Sequence, residues 1–481
     1  MIPTPTTPPI TLRPATWALA TLALLSACSS PAPQAPASPW SAQQLGLHAN
    51  PGTEIAADWW TTWGDARLQG LIRQALQDHP NMQQAQARVR RMQAAAGMAD
   101  AASLPQIGLS AEQQRMRYSS HGLFQGTPLA GNIWNNDTLQ VSLGWSPDLW
   151  GEHAAATAAA VGQARASEAE AAMAGQVLAT QILRSSIGLA RLLAQHENSA
   201  QLIELRETAQ RLVRQRQEAG LDTRIERAQS DASLAELQAQ HHVLQEQIAL
   251  NRHQLSVLCG LPPQALQDYA PRLDSFALAP LPTQLGADLL GRRPDVVAAR
   301  WRAEAAQQQV HVARTQFYPS VSLGAFAGYN ALGTEHLLEA GSRQYGIVPA
   351  LRLPLFEGGR LKAQLSGREA ERDAAVAQYN QTVLDAVREA ADAIRSSEGA
   401  AQQATDQARA LGSANQAWRL AEQREHAGLG NRLSVLGTQA AMLAQQRAAI
   451  DLQARQLDVR VQLVRALGGG WSAEAPALAS R

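Results

Sequence analysis

The 481-residue chain has a single lysine, Lys362, and only two cysteines, Cys28 and Cys259. Lys+Arg and Asp+Glu both number 41, so there is no basic surplus to hold nucleic-acid phosphates, and no nucleic-acid partner is expected. Two lone cysteines make neither a disulfide framework nor a zinc site. Aromatic residues are 5% and charged residues 17%, the latter below the usual ~25%, which excludes charge-driven disorder. Outside the N-terminus no run approaches the ~18 apolar residues that span a bilayer as a helix. No Gly-rich loop of phosphate-binding spacing follows a strand, and no Gly-x-Ser-x-Gly elbow occurs. The eleven histidines are scattered, and neighbours such as His241 and His242 point apart on a helix. Cys259, before Gly260-Leu261-Pro262-Pro263, fits a small apolar packing role. No catalytic residue, metal site or bound cofactor is therefore expected. By these averages the chain reads as a soluble, Ala- and Gln-rich helical protein.

Three features break that reading. The first is the N-terminus, where Arg13 precedes a short apolar stretch from Ala15 to Ala27, the shape of a secretory h-region. It ends in Leu25-Ser26-Ala27-Cys28, which resembles a bacterial lipobox and is followed by a Pro/Ala-rich linker. That resemblance implies a diacylglycerol on Cys28, and Ser29 in place of aspartate implies retention at the outer membrane. A lipid anchor holds a soluble-looking chain at a bilayer.

The second is a duplication. Pro80-Asn81-Met82 and Ser103-Leu104-Pro105-Gln106 recur 214 residues later as Pro294-Asp295-Val296 and Phe317-Tyr318-Pro319-Ser320. Pro147-Asp148-Leu149-Trp150-Gly151 recurs 207 residues later as Pro354-Leu355-Phe356-Glu357-Gly358. Arg216-Gln217-Glu218-Ala219-Gly220-Leu221 recurs 208 later as Arg424-Glu425-His426-Ala427-Gly428-Leu429. The change of offset places about seven extra residues in a loop between the two prolines of the first copy.

The third is periodicity. Ile107, Leu109 and Ala111 alternate with Gln106, Gly108, Ser110 and Glu112; Leu139, Val141, Leu143 and Trp145 alternate with Gln140, Ser142 and Gly144. The second copy repeats this with Val321, Leu323 and Ala325, and with Ile347, Leu351 and Leu353 around Pro349. These are four period-2 strands of about ten residues, the length of a tilted transmembrane strand. Between them, about 151–219 and 358–427 are proline-free and rich in Ala, Gln, Arg, Glu and Leu, which predicts helices of roughly 100 Å. A solid coiled-coil rod explains the helices but has no use for amphipathic strands. A closed sheet in lipid does, and four strands cannot close alone, so a cyclic oligomer is expected, with Gln106, Ser110, Gln140 and Ser142 facing water.

Asp58-Trp59-Trp60-Thr61-Thr62-Trp63-Gly64-Asp65, with Leu68, Leu71 and Ile72, resembles the opening of the outer-membrane factors, the TolC-like, NodT-type lipoproteins of tripartite efflux systems. Leu290-Gly291-Arg292-Arg293-Pro294-Asp295-Val296 and Pro354 through Arg360 resemble that family's later motifs in the same order. The resemblance implies an α+β membrane protein: a trimeric, 12-stranded outer-membrane β-barrel, four strands per chain, continued by a long periplasmic α-helical barrel. On this basis 1–27 is a signal peptide, 28–57 a lipidated linker, 58–263 the first repeat, 264–293 an equatorial connection, 294–471 the second repeat and 472–481 a tail.

It further implies a passive outer-membrane channel for small amphiphilic compounds, fed by a periplasmic adaptor (membrane fusion) protein and an inner-membrane transporter of RND type. Two alternatives stand beside it: the same channel serving metal-ion efflux or type I protein secretion, and a non-conducting lipid-anchored scaffold. In similar proteins the turns between long and returning helices meet the adaptor, here Ala219, Gly220, Leu221, Ala427, Gly428 and Leu429. Ionic contacts near those turns close the tube, and the matching region offers Asp222, Arg224, Glu226, Asp231, Arg424, Glu425 and Arg432. Leu436-Gly437-Thr438-Gln439 departs from the family pattern, which has an aspartate before the Ala-Gln of the returning helix.

Overall fold

The computed structural model describes residues 37–40, 44, 55–276 and 289–471. The expected signal peptide, the lipobox with Cys28, most of the linker, part of the equatorial connection and the tail lie outside the described residues. The helices and strands among the described residues belong to the unit that runs from Pro39 onwards.

The first copy comprises α1 (Ala66–Asp78), α2 (Pro80–Ala101), β1 (Gln106–Arg117), β2 (Ile133–Trp145), α3 (Glu152–Glu218) and α4 (Arg224–Leu258). The second comprises α5 (Pro294–Thr315), β3 (Ser320–Leu332), β4 (Arg343–Arg352), α6 (Arg360–His426) and α7 (Arg432–Ala466). Corresponding helices are of equal length: 22 residues in α2 and α5, 67 in α3 and α6, 35 in α4 and α7. The strands run 12, 13, 13 and 10 residues, and β4 stops at Arg352, so Leu353 lies beyond the strand. The extra residues of the first copy fall mainly in the 118–132 loop and in a longer β2.

The helix starts are written locally. Asp65 accepts the Leu68 N–H at 2.8 Å, His79 Nδ1 accepts that of Asn81, and Pro80 and Pro294 open their helices where no N–H is needed. Both 67-residue helices, about 100 Å long at 1.5 Å per residue, follow a glycine in the left-handed region, Gly151 and Gly359.

The main core sits midway along α3. There Leu178, Ile182, Leu183 and Ile187 meet Leu68 and Ile72 of α1, Leu255 of α4, Leu457 and Val461 of α7, and the Trp59–Trp63 pair, whose rings meet edge-on at 6.2 Å. A stretch of α3 is apolar enough for a membrane helix, but 61% of it is buried inside the chain, as a core helix requires. Cys259 joins this core, 2% exposed, and burial pushes its thiol up to about 12. Nearer the sheet, α3 and α5 approach through Ala159, Gly162 and Ala305, where a side chain on Gly162 would meet Ala305 Cβ and the Trp301 carbonyl.

Arg293 locks the second copy in place. It is 8% exposed, donates bidentately to Asp295 at 3.0 and 2.6 Å, and reaches Glu389 of α6 at 3.0 Å and the Ala466 carbonyl of α7 at 3.1 Å. Burial works against its charge, and the two carboxylates outweigh it, leaving its pKa raised. The Arg-Arg-Pro-Asp motif is thus a three-helix clamp.

Candidate functional site: the strand wall and the helical tips

The four strands form one antiparallel sheet in the order β1-β2-β3-β4, with β1 and β4 at its edges. Register sorts the side chains cleanly. One face stacks Ile107, Leu143, Ala325 and Ile347 across all four strands, and beside them Leu109, Val141, Ala327 and Tyr345. On β3 this apolar face extends from Val321 to Tyr329, roughly 27 Å of strand at ~3.4 Å per residue. Tilted by ~40° it covers about 20 Å of height, close to the ~25 Å apolar band of a membrane barrel. Ile107, Leu109, Tyr345, Ile347 and Leu351 are largely exposed, with no protein layer over them among the described residues.

The other face stacks Ser110, Gln140 and Gln344, and Glu112, Thr138 and Asn330. Gln344 Nε2 donates to Gln140 Oε1 at 3.0 Å, and Asn330 Nδ2 to Thr138 Oγ1 at 2.9 Å and Asn136 Oδ1 at 3.1 Å. Gln106, Ser110, Gln140 and Ser142 all lie on this side. Gly108, Gly144, Gly324, Gly328 and Gly346 lie there too, and a side chain on Gly328 would run into the β2 backbone at Leu139 and Gln140. Missing side chains on one face let a sheet curve toward it. Where strands pass to helices, Trp150 Nε1 donates to the Pro319 carbonyl at 2.7 Å and its ring lies 5.2 Å from that of Tyr318, and after β4 Leu355 and Phe356 are exposed. Such aromatics suit a membrane–water boundary.

At the opposite end, α3 and α6 close with the same turn. Gly220 N–H donates to the Gln217 carbonyl and Leu221 N–H to that of Arg216; Gly428 and Leu429 repeat this onto Glu425 and Arg424. Both glycines sit at φ +72, the left-handed cap of a Schellman motif, with open space where a Cβ would stand. Ala219 and Ala427 are the residues before those caps, and Leu221 and Leu429 project 67% and 71% exposed. All six expected tip residues therefore gather on two matching knuckles.

The charged candidates near them divide. Asp222 receives both arms of the Arg216 guanidinium, at 2.9 and 3.0 Å, and this hydrogen-bonded pairing holds its carboxyl below the usual range. Glu226 is the returning partner of a capping box with Thr223, whose N–H reaches Glu226 Oε2 at 2.8 Å. Asp231 accepts from Gln210 Nε2 at 2.7 Å, tying α4 to α3. In the second copy Arg432 pairs with Glu425 at 3.1 Å, and Arg424 donates to the Leu429 carbonyl at 3.3 Å. Arg224 has no polar partner among the described residues. Each contact lies within one helical hairpin. Arg216 is absent from the sequence-derived candidates although it stands six residues before Asp222, and Thr223-x-x-Glu226 is legible as a cap.

A half-apolar, half-polar sheet with both edges open, set on ~100 Å helices, defines one stave of a hollow membrane-to-water conduit. The outer membrane efflux protein model matches residues 71–261 and 285–469, once in each copy. The chain is 32% identical over 441 residues to the multidrug resistance outer membrane protein MdtQ of Escherichia coli O157:H7, covering 86% of this chain and 88% of that one. It is 36% identical over 321 residues to the fusaric acid resistance protein FusA of Burkholderia cepacia, spanning 66% of this chain but only 60% of that protein's length. The crystal structure of the outer membrane protein VceC of Vibrio cholerae superposes with a TM-score of 0.79 at 36% identity, covering 86% of this chain and 99% of that one. The chain belongs to the outer membrane efflux protein family. It is a channel component of an efflux system, located in the outer membrane.

Proposed function

We propose that three copies close a twelve-stranded barrel, β4 of each protomer pairing with β1 of the next, and that the long helices continue it as a water-filled tube into the periplasm. The observation that carries this is the sheet itself: two unpaired edges, an uncovered apolar face and a hydrogen-bonded polar face. Lipid accepts only a closed sheet, and the smallest membrane barrels have about eight strands, so one chain is insufficient. A diacylglycerol on Cys28 tethers each protomer to the membrane.

The knuckles at Ala219–Leu221 and Ala427–Leu429 are the surface for a periplasmic adaptor, whose own partner is an energised inner-membrane transporter, of RND type in the first instance. Small glycines and alanines there permit close helix contact, and the exposed leucines supply apolar anchors. Asp222, Arg224, Glu226, Asp231, Arg424, Glu425 and Arg432 set the charge around the tube's inner end. The chain performs no bond chemistry; it conducts small amphiphilic compounds, a reading supported by the multidrug and fusaric acid resistance named for its relatives. Native mass spectrometry of the purified protein is the test. Three copies, joined by an inter-protomer cross-link between cysteines placed on β1 and β4, are expected; a monomer that stays monomeric in lipid would end the proposal.

A further inference from the structure

Beyond the apolar band the outward face of the sheet changes character. On β1 the outward positions after Ala111 are Gln113, Arg115 and Arg117; on β4 the outward position before Tyr345 is Arg343. All three arginines are exposed, and none has a carboxylate within ion-pair distance among the described residues. Arg117 uses its Nε on the Gly131 carbonyl at 3.1 Å, leaving the outer end of its guanidinium available. The acidic side chains at the same end are placed differently, Glu335 standing exposed in the loop between β3 and β4. Asp137, outward on β2, is 3% exposed; Glu112 lies on the polar inner face; Glu339 is engaged by His336 at 3.0 Å. The 118–132 loop contains no Asp or Glu at all. Three arginines without a carboxylate partner among the described residues thus stand outward on the two edge strands at this end.

We propose that Arg115, Arg117 and Arg343 form a cradle for the phosphates of the phosphorylated glycolipid in the outer leaflet, one cradle at each protomer junction. The junction follows from the trimer reading on which this inference rests: β1 and β4 are the two sheet edges, so closure joins β4, with Arg343 at its outer end, to β1 of the next protomer, with Arg115 and Arg117 towards its outer end. The rim lies at the ends of the strands away from the helices, the exterior side of the membrane. Planar guanidinium groups bind phosphate oxygens bidentately, and the acyl chains of the same lipid would lie on the apolar band directly below. The lipid thus bridges protomers at the seam where the sheet is joined between chains.

The test uses the purified full-length oligomer, stripped of lipid in detergent, and three probes: bis-phosphorylated lipid A, lipid A freed of both phosphates, and inorganic phosphate. Bound lipid is read by native mass spectrometry, with trimer content and bilayer conductance measured on the same sample. The wild type is expected to retain the bis-phosphorylated lipid at least about tenfold better than the dephosphorylated one. The triple variant Arg115→Gln/Arg117→Gln/Arg343→Gln is expected to lose that discrimination while remaining trimeric and conducting. Equal retention of both lipids by the wild type overturns the proposal whatever the variant does, as does displacement of the lipid by equimolar inorganic phosphate. A wild type that forms no trimer and conducts nothing would instead remove the channel reading beneath it.

Discussion

Leu143 and Ser142 are adjacent in β2 and point to opposite faces, so the same substitution at each separates lipid from lumen. Leu143 lies in the middle of the apolar band, flanked by Ile107 and Ala325 in register. An arginine at mid-membrane on the lipid face of a barrel costs about 2–4 kcal/mol. With one copy per protomer, a trimer carries roughly three times that, ~6–12 kcal/mol, comparable with the whole stability of a typical domain. Ser142, flanked by Gly108 and Phe326, faces water, and an arginine there finds solvation and nearby glycines that leave room. Leu143→Arg should abolish trimers in the outer membrane, read by heat-modifiable gel mobility and by folding yield into vesicles. Ser142→Arg should give wild-type trimer yield and a reduced single-channel conductance. Equal losses from both substitutions, or a trimer that tolerates Leu143→Arg and not Ser142→Arg, would refute the assignment of faces.

Replacing Gly220 and Gly428 with valine puts a branched side chain at φ +72, costing about 1–2 kcal/mol per turn by backbone strain alone since the space is open; export of an ethidium-type dye should be lost while trimers form. Because Arg216 holds the Asp222 carboxyl low, that pairing is fully present above the unfolded value of about 3.9 and is lost only as pH falls through the lower folded one. Tip behaviour in bilayer recordings should accordingly be flat between about pH 7 and pH 5, change in stronger acid, and lose that acid step in Asp222→Asn. Arg293→Met strands Asp295, leaves Glu389 only the longer contact to Arg465 at 3.7 Å, and should lower stability by about 3 kcal/mol, seen as a drop in the denaturation midpoint of the periplasmic helices. Cys259 should resist maleimide in the native protein and react on unfolding, since its thiol is buried and pushed up to about 12.

The duplication is legible in sequence because proline and glycine punctuate each copy at the same places, and those residues act locally. The long helices are legible from composition, and the equal lengths of α3 and α6 and of α4 and α7 follow from one hairpin used twice. Strand faces are legible from alternation, although β4 ends before Leu353. How charges pair is not legible in the same way. Asp222 and Arg216 meet only because the Schellman turn folds the chain back, and the equivalent position to Asp222 in the second copy is Gly430, which leaves Arg424 to a carbonyl and Glu425 to Arg432. Arg293 likewise reads as a motif in sequence, but its partners Glu389 and Ala466 lie far along the chain.

Planar-bilayer recording on the purified oligomer tests most directly whether this chain assembles into an open-ended conduit. Wild-type trimer and a tip-loosened Asp222→Ala/Glu425→Ala variant would be compared. A hollow trimer gives discrete conductance steps that grow or open more often in the variant. Silence from both, with trimers present in the membrane, would mean a scaffold without a lumen.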